Sequence, residues 1–438
     1  MPDPFLNLPA TAGLLLRRAR VPRCLLDAPC GATELALCDI RIADGIIVEV
    51  GAAAGAALAA SGPVVDLAGG IVFPGFVDMH THIDKGHIWP RASNPDGTHG
   101  GALGAVKADR EANWSAEDVA ARAGFSLRCA YAHGTVALRT HLDSVGDQLD
   151  VSWPVFKALR AEWAGRIALQ AASIVPLATY GTPFCERLAD VVADAGGLLG
   201  GSGALEPEAA AYISRIFDLA VDRNLDIDLH VDETGDPAAH TLRLIAQESI
   251  KRNYAGRVTC GHCCSLAVQD PAEARETIAL VAAAGLSVVS LPMVNLYLQG
   301  RRAPNTPIWR GVTLLHELRA AGVRVAIASD NTRDPFYGFG DLDMAEVFRE
   351  AVRIGHLDLP IGDWPAAVTS LPAAVMGVPA GQVRVGAAAD LVLFSARAYS
   401  ELLSRPQADR IVLRAGRAID TTAPSYRELD RLFPKVEA

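Results

Sequence analysis

Along the middle of the chain, short runs of β-branched and apolar residues alternate with alanine-rich amphipathic stretches. An apolar run bounded by turn residues predicts a strand, and a 3.6-residue period predicts a helix. Their alternation predicts a parallel sheet covered by helices. Candidate strands fall at 71–80, 135–142, 168–175, 197–202, 225–231, 257–262, 287–293 and 323–329. Eight β-α units over about 250 residues is the size of a (β/α)8 TIM barrel. The fourth run is rich in glycine and has the weakest pattern.

The two ends read differently. Residues 13–70 hold β-like runs, among them Ala36–Ile42 and Gly45–Val50, with Asp44-Gly45 as a hairpin-turn signal. Residues 51–62, almost all Ala and Gly, read as a surface turn or linker. Strand-like patterns resume at Ala389–Phe394 and Arg410–Gly416. Chain ends often lie close together, so the two are expected to form one small β-sandwich-like domain, residues 1–66 and 385–438, beside an α/β barrel over 67–384.

A chain of 438 residues, half of them hydrophobic, has ample material for such a core. The net charge of −10 argues against nucleic acid, which needs a basic footprint. No apolar run approaches the roughly 20 residues that cross a bilayer, so no membrane partner is expected. Arg17, Arg18 and Arg20 follow Leu14–Leu16, the reverse of a secretory signal, so a cytoplasmic protein is expected. Its expected partner is a small molecule, and a homo-oligomer remains possible. The eight scattered cysteines read as free thiols, and the Cys260/Cys263 pair lacks the second pair of a structural zinc site.

The chemistry gathers at strand ends. The first strand runs into His80-Thr81-His82, whose i, i+2 spacing puts both imidazoles on one face. The fifth ends at His230 with Glu233 three residues on, the sixth at His262, the eighth at Asp330. Taken singly, a strand histidine is more often a core residue, and an aspartate after a strand is often a helix cap. A barrel brings these ends to one mouth, so His80, His82, His230 and Asp330 together point to a metal site.

Pro74-Gly75-Phe76-Val77-Asp78-Met79-His80-Thr81-His82 resembles the first-strand signature of the amidohydrolase superfamily. Leu229–Glu233, Gly261-His262, Asn295–Arg301 and Asp330–Tyr337 are similar to cytosine deaminases, and the likeness spans roughly residues 60 to 400. The resemblance implies that His80, His82, His230 and Asp330 hold one divalent ion, Fe2+ or Zn2+. No lysine lies between Gly196 and Leu205 to bridge a second metal. It further implies hydrolytic deamination of a cytosine-like or other amino-substituted N-heterocycle, by attack of hydroxide generated at that ion. Asp330 takes the water proton, His262 orients the attacking oxygen, and Glu233 carries a proton to the ring and then to the departing amine.

Some positions depart from cytosine deaminases. Leu177 follows Pro176 where those enzymes have a glutamine, and Asn331 replaces a second aspartate, which puts cytosine itself in doubt. Asp84-Lys85 resembles N-isopropylammelide amidohydrolases, so release of an alkylamine from a triazine or pyrimidine is the alternative. Lys85 then binds a substrate oxygen, or is a solvated loop residue. Trp89, Tyr297, Trp309 and Phe336 are placed to wall a flat ring. A silent, non-catalytic member is a third reading. The H-x-E and P-C-x-x-C pattern of nucleoside and nucleic-acid deaminases is absent.

Overall fold

The computed structural model describes residues 5–11, 13–27, 32–53, 58 and 62–433. Cys30 and most of the Ala/Gly stretch at 51–62 lie outside the described residues. The chain forms two compact units, one from Met1–Asp78, Arg128–Ala137 and Asp343–Ala423, the other from Met79–Leu127, Leu138–Leu342 and Pro424–Ala438.

In the first unit, Leu14–Pro22, Leu35–Ala43 and Ile46–Ala52 pair antiparallel, and Val64–Asp66 joins Leu14–Pro22 in parallel. The hairpin turn lies at Asp44-Gly45, with φ of 51° and 78°, the two left-handed residues of a type I′ turn. A second sheet joins Val72–Pro74, Leu391–Leu393, Ile411–Arg414 and Arg417–Ala418 in antiparallel order. Its Phe73 packs on Phe76, Phe348 and Phe394, with ring centroids 5.7, 6.2 and 6.0 Å away. Phe348 comes from helix Met344–Gly355, which buries Met344, Val347, Phe348, Ala351 and Val352 at helical spacing. Asp343 caps that helix through Ala345 N, and both its oxygens accept from buried Arg410.

The second unit is a ring of strands: β1 (Phe76–Thr81), β2 (Thr135–Asp143), β3 (Ala168–Ile174), β4 (Ser202–Gly203), β5 (Ile227–Val231), β6 (Val258–His262), β7 (Ser287–Ser290) and β8 (Arg324–Ile327). β1 and β2 begin in segments of the first unit. β1–β2–β3 form one hydrogen-bonded sheet and β4 to β8 another, whose neighbours run parallel. Parallel bridges Ala172–Leu198 and Pro176–Ser202 join β3 to the β4 segment, and Thr81–Asp330 joins β1 to the end of β8. The ring closes, and the fold is the expected (β/α)8 arrangement with an additional β-rich unit.

Three strands differ from their sequence patterns. The run at 71–80 splits, because Val72–Pro74 joins the first unit's sheet and only Phe76–Thr81 enters the ring. At the break, a Cβ on Gly75 would lie 2.1 Å from Val136 Cγ1, so the chain passes only as glycine. β4 is shorter than 197–202 predicts. Its glycines serve close approach: a Cβ on Gly200 would lie 2.2 Å from Ser173 O and 2.4 Å from Asp228 O, on the two flanking strands. β7 stops at Ser290 because Pro292 opens helix Pro292–Leu298. Among the described residues the cysteines form no disulfide, and no helix is long and apolar enough to cross a membrane.

Candidate active site

The ends of β1, β5, β6 and β8 meet inside the second unit. His230 Nε2 lies 3.1 Å from both His80 Nε2 and His82 Nε2. Asp330 Oδ1 is 3.2 Å from His82 Nε2 and 3.7 Å from His80 Nε2. One donor atom from each of His80, His230, His262 and Asp330 lies within 4.8 Å of the others, and all four residues are buried. Burial, then the crowding of the imidazoles on one another and, at His80 and His82, the Lys85 ammonium, pushes His80, His82 and His230 well below the ordinary histidine range, so they are neutral and offer lone pairs.

The arrangement fits a metal ion. Nitrogens about 2.0–2.1 Å from a common zinc stand about 2.9 Å apart at right angles and about 3.4 Å apart in a tetrahedron. The observed 3.1 Å falls between. The fit is helped by backbone placement: Asp330 N donates to His80 O at 2.9 Å, and Asp330 and His262 both take left-handed φ, 66° and 67°. Left-handed non-glycine residues of this kind cluster at functional sites.

Glu233 sits beside this cluster. Its Oε1 is 3.4 Å from His262 Nδ1 and accepts from Asn295 Nδ2 at 3.3 Å, while Asn295 Nδ2 also lies 3.0 Å from His262 Nδ1. Gln299 Nε2 donates to the Glu233 carbonyl. Burial raises the Glu233 pKa, but His262, His99 and Lys85 outweigh it and hold the carboxyl below its ordinary value. His262 Nε2 is buried without a protein partner.

Lys85 is buried, not a solvated loop residue. Its Nζ lies 3.7 Å from Asp143 Oδ1 and 5.0 Å from the Phe336 ring centroid. Burial lowers its pKa, but Asp143, Asp334, Asp84 and Asp330 raise it further, so the ammonium stays charged. Phe336 is buried, its N donating to Asp334 Oδ1. The Asn331 amide donates to Asp334 Oδ2 at 2.8 Å, so that donor is spent on its own turn. Leu177 is buried at the start of a 3-10 turn after β3. Trp89 is half-buried against Gly338, and Trp309 packs on Gly235, two residues past Glu233. Tyr297 turns to Tyr337, Phe339 and Arg301.

Two histidines escaped the sequence reading. His141 packs against His80 with ring centroids 4.1 Å apart and the rings tilted by 39°, and its Nε2 is 3.7 Å from Asp228, which is paired with Arg139 at 2.7 Å. It sits near the end of β2, so the strand-end argument used for β1 would have found it. His99, the first residue of helix His99–Asn113, brings Nε2 to 3.5 Å from Glu233 Oε2. It lies on a loop-borne helix, where periodicity carries no signal.

The amidohydrolase family profile matches residues 63–173 and 188–419. The chain is 53% identical to a pterin deaminase of Rhizobium rhizogenes over 98% of its length and 99% of that protein. It is 27% identical to an N-isopropylammelide isopropyl amidohydrolase of a Pseudomonas species, over 64% of this chain and 68% of that one. Among solved structures, 5-methylcytosine deaminase from Klebsiella pneumoniae superposes with a TM-score of 0.80 at 26% identity, covering 92% and 97% of the two chains.

Proposed function

The chain belongs to the amidohydrolase family, a C–N hydrolase acting as a hydrolytic deaminase of a heterocycle, and from that premise we propose that it removes the exocyclic amino group of a pterin as ammonia. The reaction rests on one observation, the Glu233 carboxylate held against His262 beside the converging imidazoles. The substrate rests on the likeness to the Rhizobium enzyme.

His80, His82, His230 and Asp330 would hold one divalent ion, iron or zinc, since imidazole and carboxylate suit both. Such an ion supplies Lewis acidity, which makes hydroxide available near neutral pH. Asp330 accepts the first proton of the attacking water, and the free Nε2 of His262 orients the oxygen. Glu233, ionised at neutral pH, carries that proton to the ring nitrogen and makes the adjacent carbon electrophilic. As the C–N bond breaks, its electron pair leaves on nitrogen and the second water proton moves to the amine. Lys85 donates to a ring oxygen above Phe336.

Metal-loaded protein offered pterin, cytosine and N-alkyl triazines tests this. Ammonia from pterin, with the ultraviolet change of 2-amino to 2-oxo conversion, is expected. Ammonia from cytosine alone, or alkylamine from a triazine, would overturn the pterin assignment. The triazine arm is kept because of the Asp84-Lys85 pair and the 27% identical relative.

A further inference from the structure

We propose that Asn295 is a positioning residue that fixes the tautomer of His262, keeping its hydrogen on Nε2 so that the ring donates to the attacking oxygen. The inference rests on the hydrolytic reading above and deepens it.

Asn295 lies on the helix Pro292–Leu298 that follows β7, and it is fully buried. Its backbone is fixed on both sides: Asn295 N donates to Leu291 O at 3.0 Å, and Asn295 O accepts from Gln299 N at 2.9 Å. Residues four apart share a helix face. Gln299 Nε2, one turn on, donates to the Glu233 carbonyl at 3.1 Å, so two amides grip the same residue. The chain returning at Gly311 leaves no slack, since a Cβ there would lie 2.4 Å from Gln299 Cβ and 2.6 Å from Asn295 O. From this seat Asn295 Nδ2 reaches Glu233 Oε1 at 3.3 Å and His262 Nδ1 at 3.0 Å.

Three arrangements of hydrogens can be written for this trio. An ionised carboxylate only accepts, so an amide turned the other way would set Asn295 Oδ1 against Glu233 Oε1 and lose that bond. With the amide as it stands, a hydrogen on His262 Nδ1 aimed at Glu233 Oε1, 3.4 Å away, would confront the hydrogens of Nδ2 at 3.0 Å. The third arrangement has neither conflict. One Nδ2 hydrogen goes to Glu233 and the other to the Nδ1 lone pair. A neutral imidazole that accepts at Nδ1 carries its hydrogen on Nε2. That nitrogen is buried without a protein partner, and a donor atom of this ring lies within 4.8 Å of those of His80, His230 and Asp330. An Nε2 that bears hydrogen has no lone pair for a cation. His262 therefore donates beside the ligand set instead of joining it.

Nuclear magnetic resonance of zinc-loaded protein with isotope-labelled histidine nitrogens reads the tautomer directly, and the signals lost in His262→Gln identify the ring. A hydrogen on Nε2 and a bare Nδ1 are expected in the wild type; a hydrogen on Nδ1 would overturn the proposal. Asn295→Leu keeps the volume and removes the donor, which frees Nδ1 to turn its hydrogen to Glu233. It should shift the tautomer and lose about a hundredfold in kcat, the worth of one fixed donor at a reacting oxygen, with KM within about threefold and one ion per chain. An unshifted tautomer in this variant would overturn the role of Asn295. Added to His262→Gln, Asn295→Leu should cost nothing further in kcat, whereas a general structural support would give an additional loss and so refute the proposal. The wild-type spectrum needs no change at Asn295, so it decides the assignment should the variant fail to fold. Protein with its hydrogen on Nε2 that releases ammonia from no amino-heterocycle would overturn the proposed reaction and leave the tautomer standing.

Discussion

Replacing Glu233 by glutamine isolates its proton-carrying role, because the side chain keeps its shape. A glutamine oxygen still accepts from Asn295 Nδ2, and the Gln299 bond is to the backbone carbonyl and is untouched. None of the residues proposed to hold the ion is altered, so it should be retained at one per chain. General acid–base catalysis contributes about 10² to 10⁴ in rate, or about 3 to 5.5 kcal/mol of barrier. The upper half of that range is expected, since the carboxyl is only 12% exposed and no water can easily substitute for it. Steady-state ammonia release, read alongside elemental analysis of the same sample, measures the effect. Activity within tenfold of wild type with the metal in place would remove Glu233 from the mechanism. Loss of the metal would make it a structural support of the cluster instead. Because Glu233 is held below its ordinary value, its protonation should limit kcat/KM only below about pH 4.3.

Further outcomes follow from the same geometry. His230→Ala removes the imidazole that faces both His80 and His82, so metal content should fall to background, and a chelator, expected to lower the melting temperature of the wild type, should leave that of the variant unchanged. Lys85→Met should raise KM about ten- to a hundredfold with a smaller change in kcat, the worth of one hydrogen bond to a charged donor; an unchanged KM would detach Lys85 from substrate. In the first unit, Arg410→Met leaves the Asp343 carboxylate, 12% exposed, with His133 and Ala345 N as its partners among the described residues, and should cost up to about 3 kcal/mol in chemical denaturation. Burial raises the Asp343 pKa, but Arg410 outweighs it and holds the group well below its unfolded value. The stabilisation is therefore complete above about pH 4 and is lost only as pH falls further. A wild-type–variant gap that widens in acid would contradict the pairing.

The ring and its strand-end residues were legible because a closed barrel imposes repetition: each strand must be apolar, and each C-terminal end faces the mouth. His80, His82, His230 and Asp330 follow from that rule alone. What escaped depends on tertiary contact. The division at Gly75 is decided by Val136, some sixty residues away, and the brevity of β4 by two neighbouring carbonyls. Lys85 could be read as either buried or solvated until Asp143 and Phe336 were placed around it. Asn331, standing where cytosine deaminases have a second aspartate, gives its amide nitrogen to Asp334, a partner three residues on that spacing alone could not rank. His99 belongs to a turn whose geometry is written in Asn94, Asp96 and Thr98, and nothing periodic marks where that turn delivers the following side chain.

The chain passes between its two units at five points, after Asp78, Leu127, Ala137, Leu342 and Ala423. Its last described stretch returns to the unit that holds the histidines, where Tyr426 hydrogen-bonds Asp341 and stacks with Phe125, and Leu432 O accepts from Arg91. No single scission can therefore liberate either body, and recombination cannot trade one of them as a cassette. Diversification of such a scaffold is confined to exchanging loops at the barrel mouth, while the accompanying β-rich body must be inherited along with it.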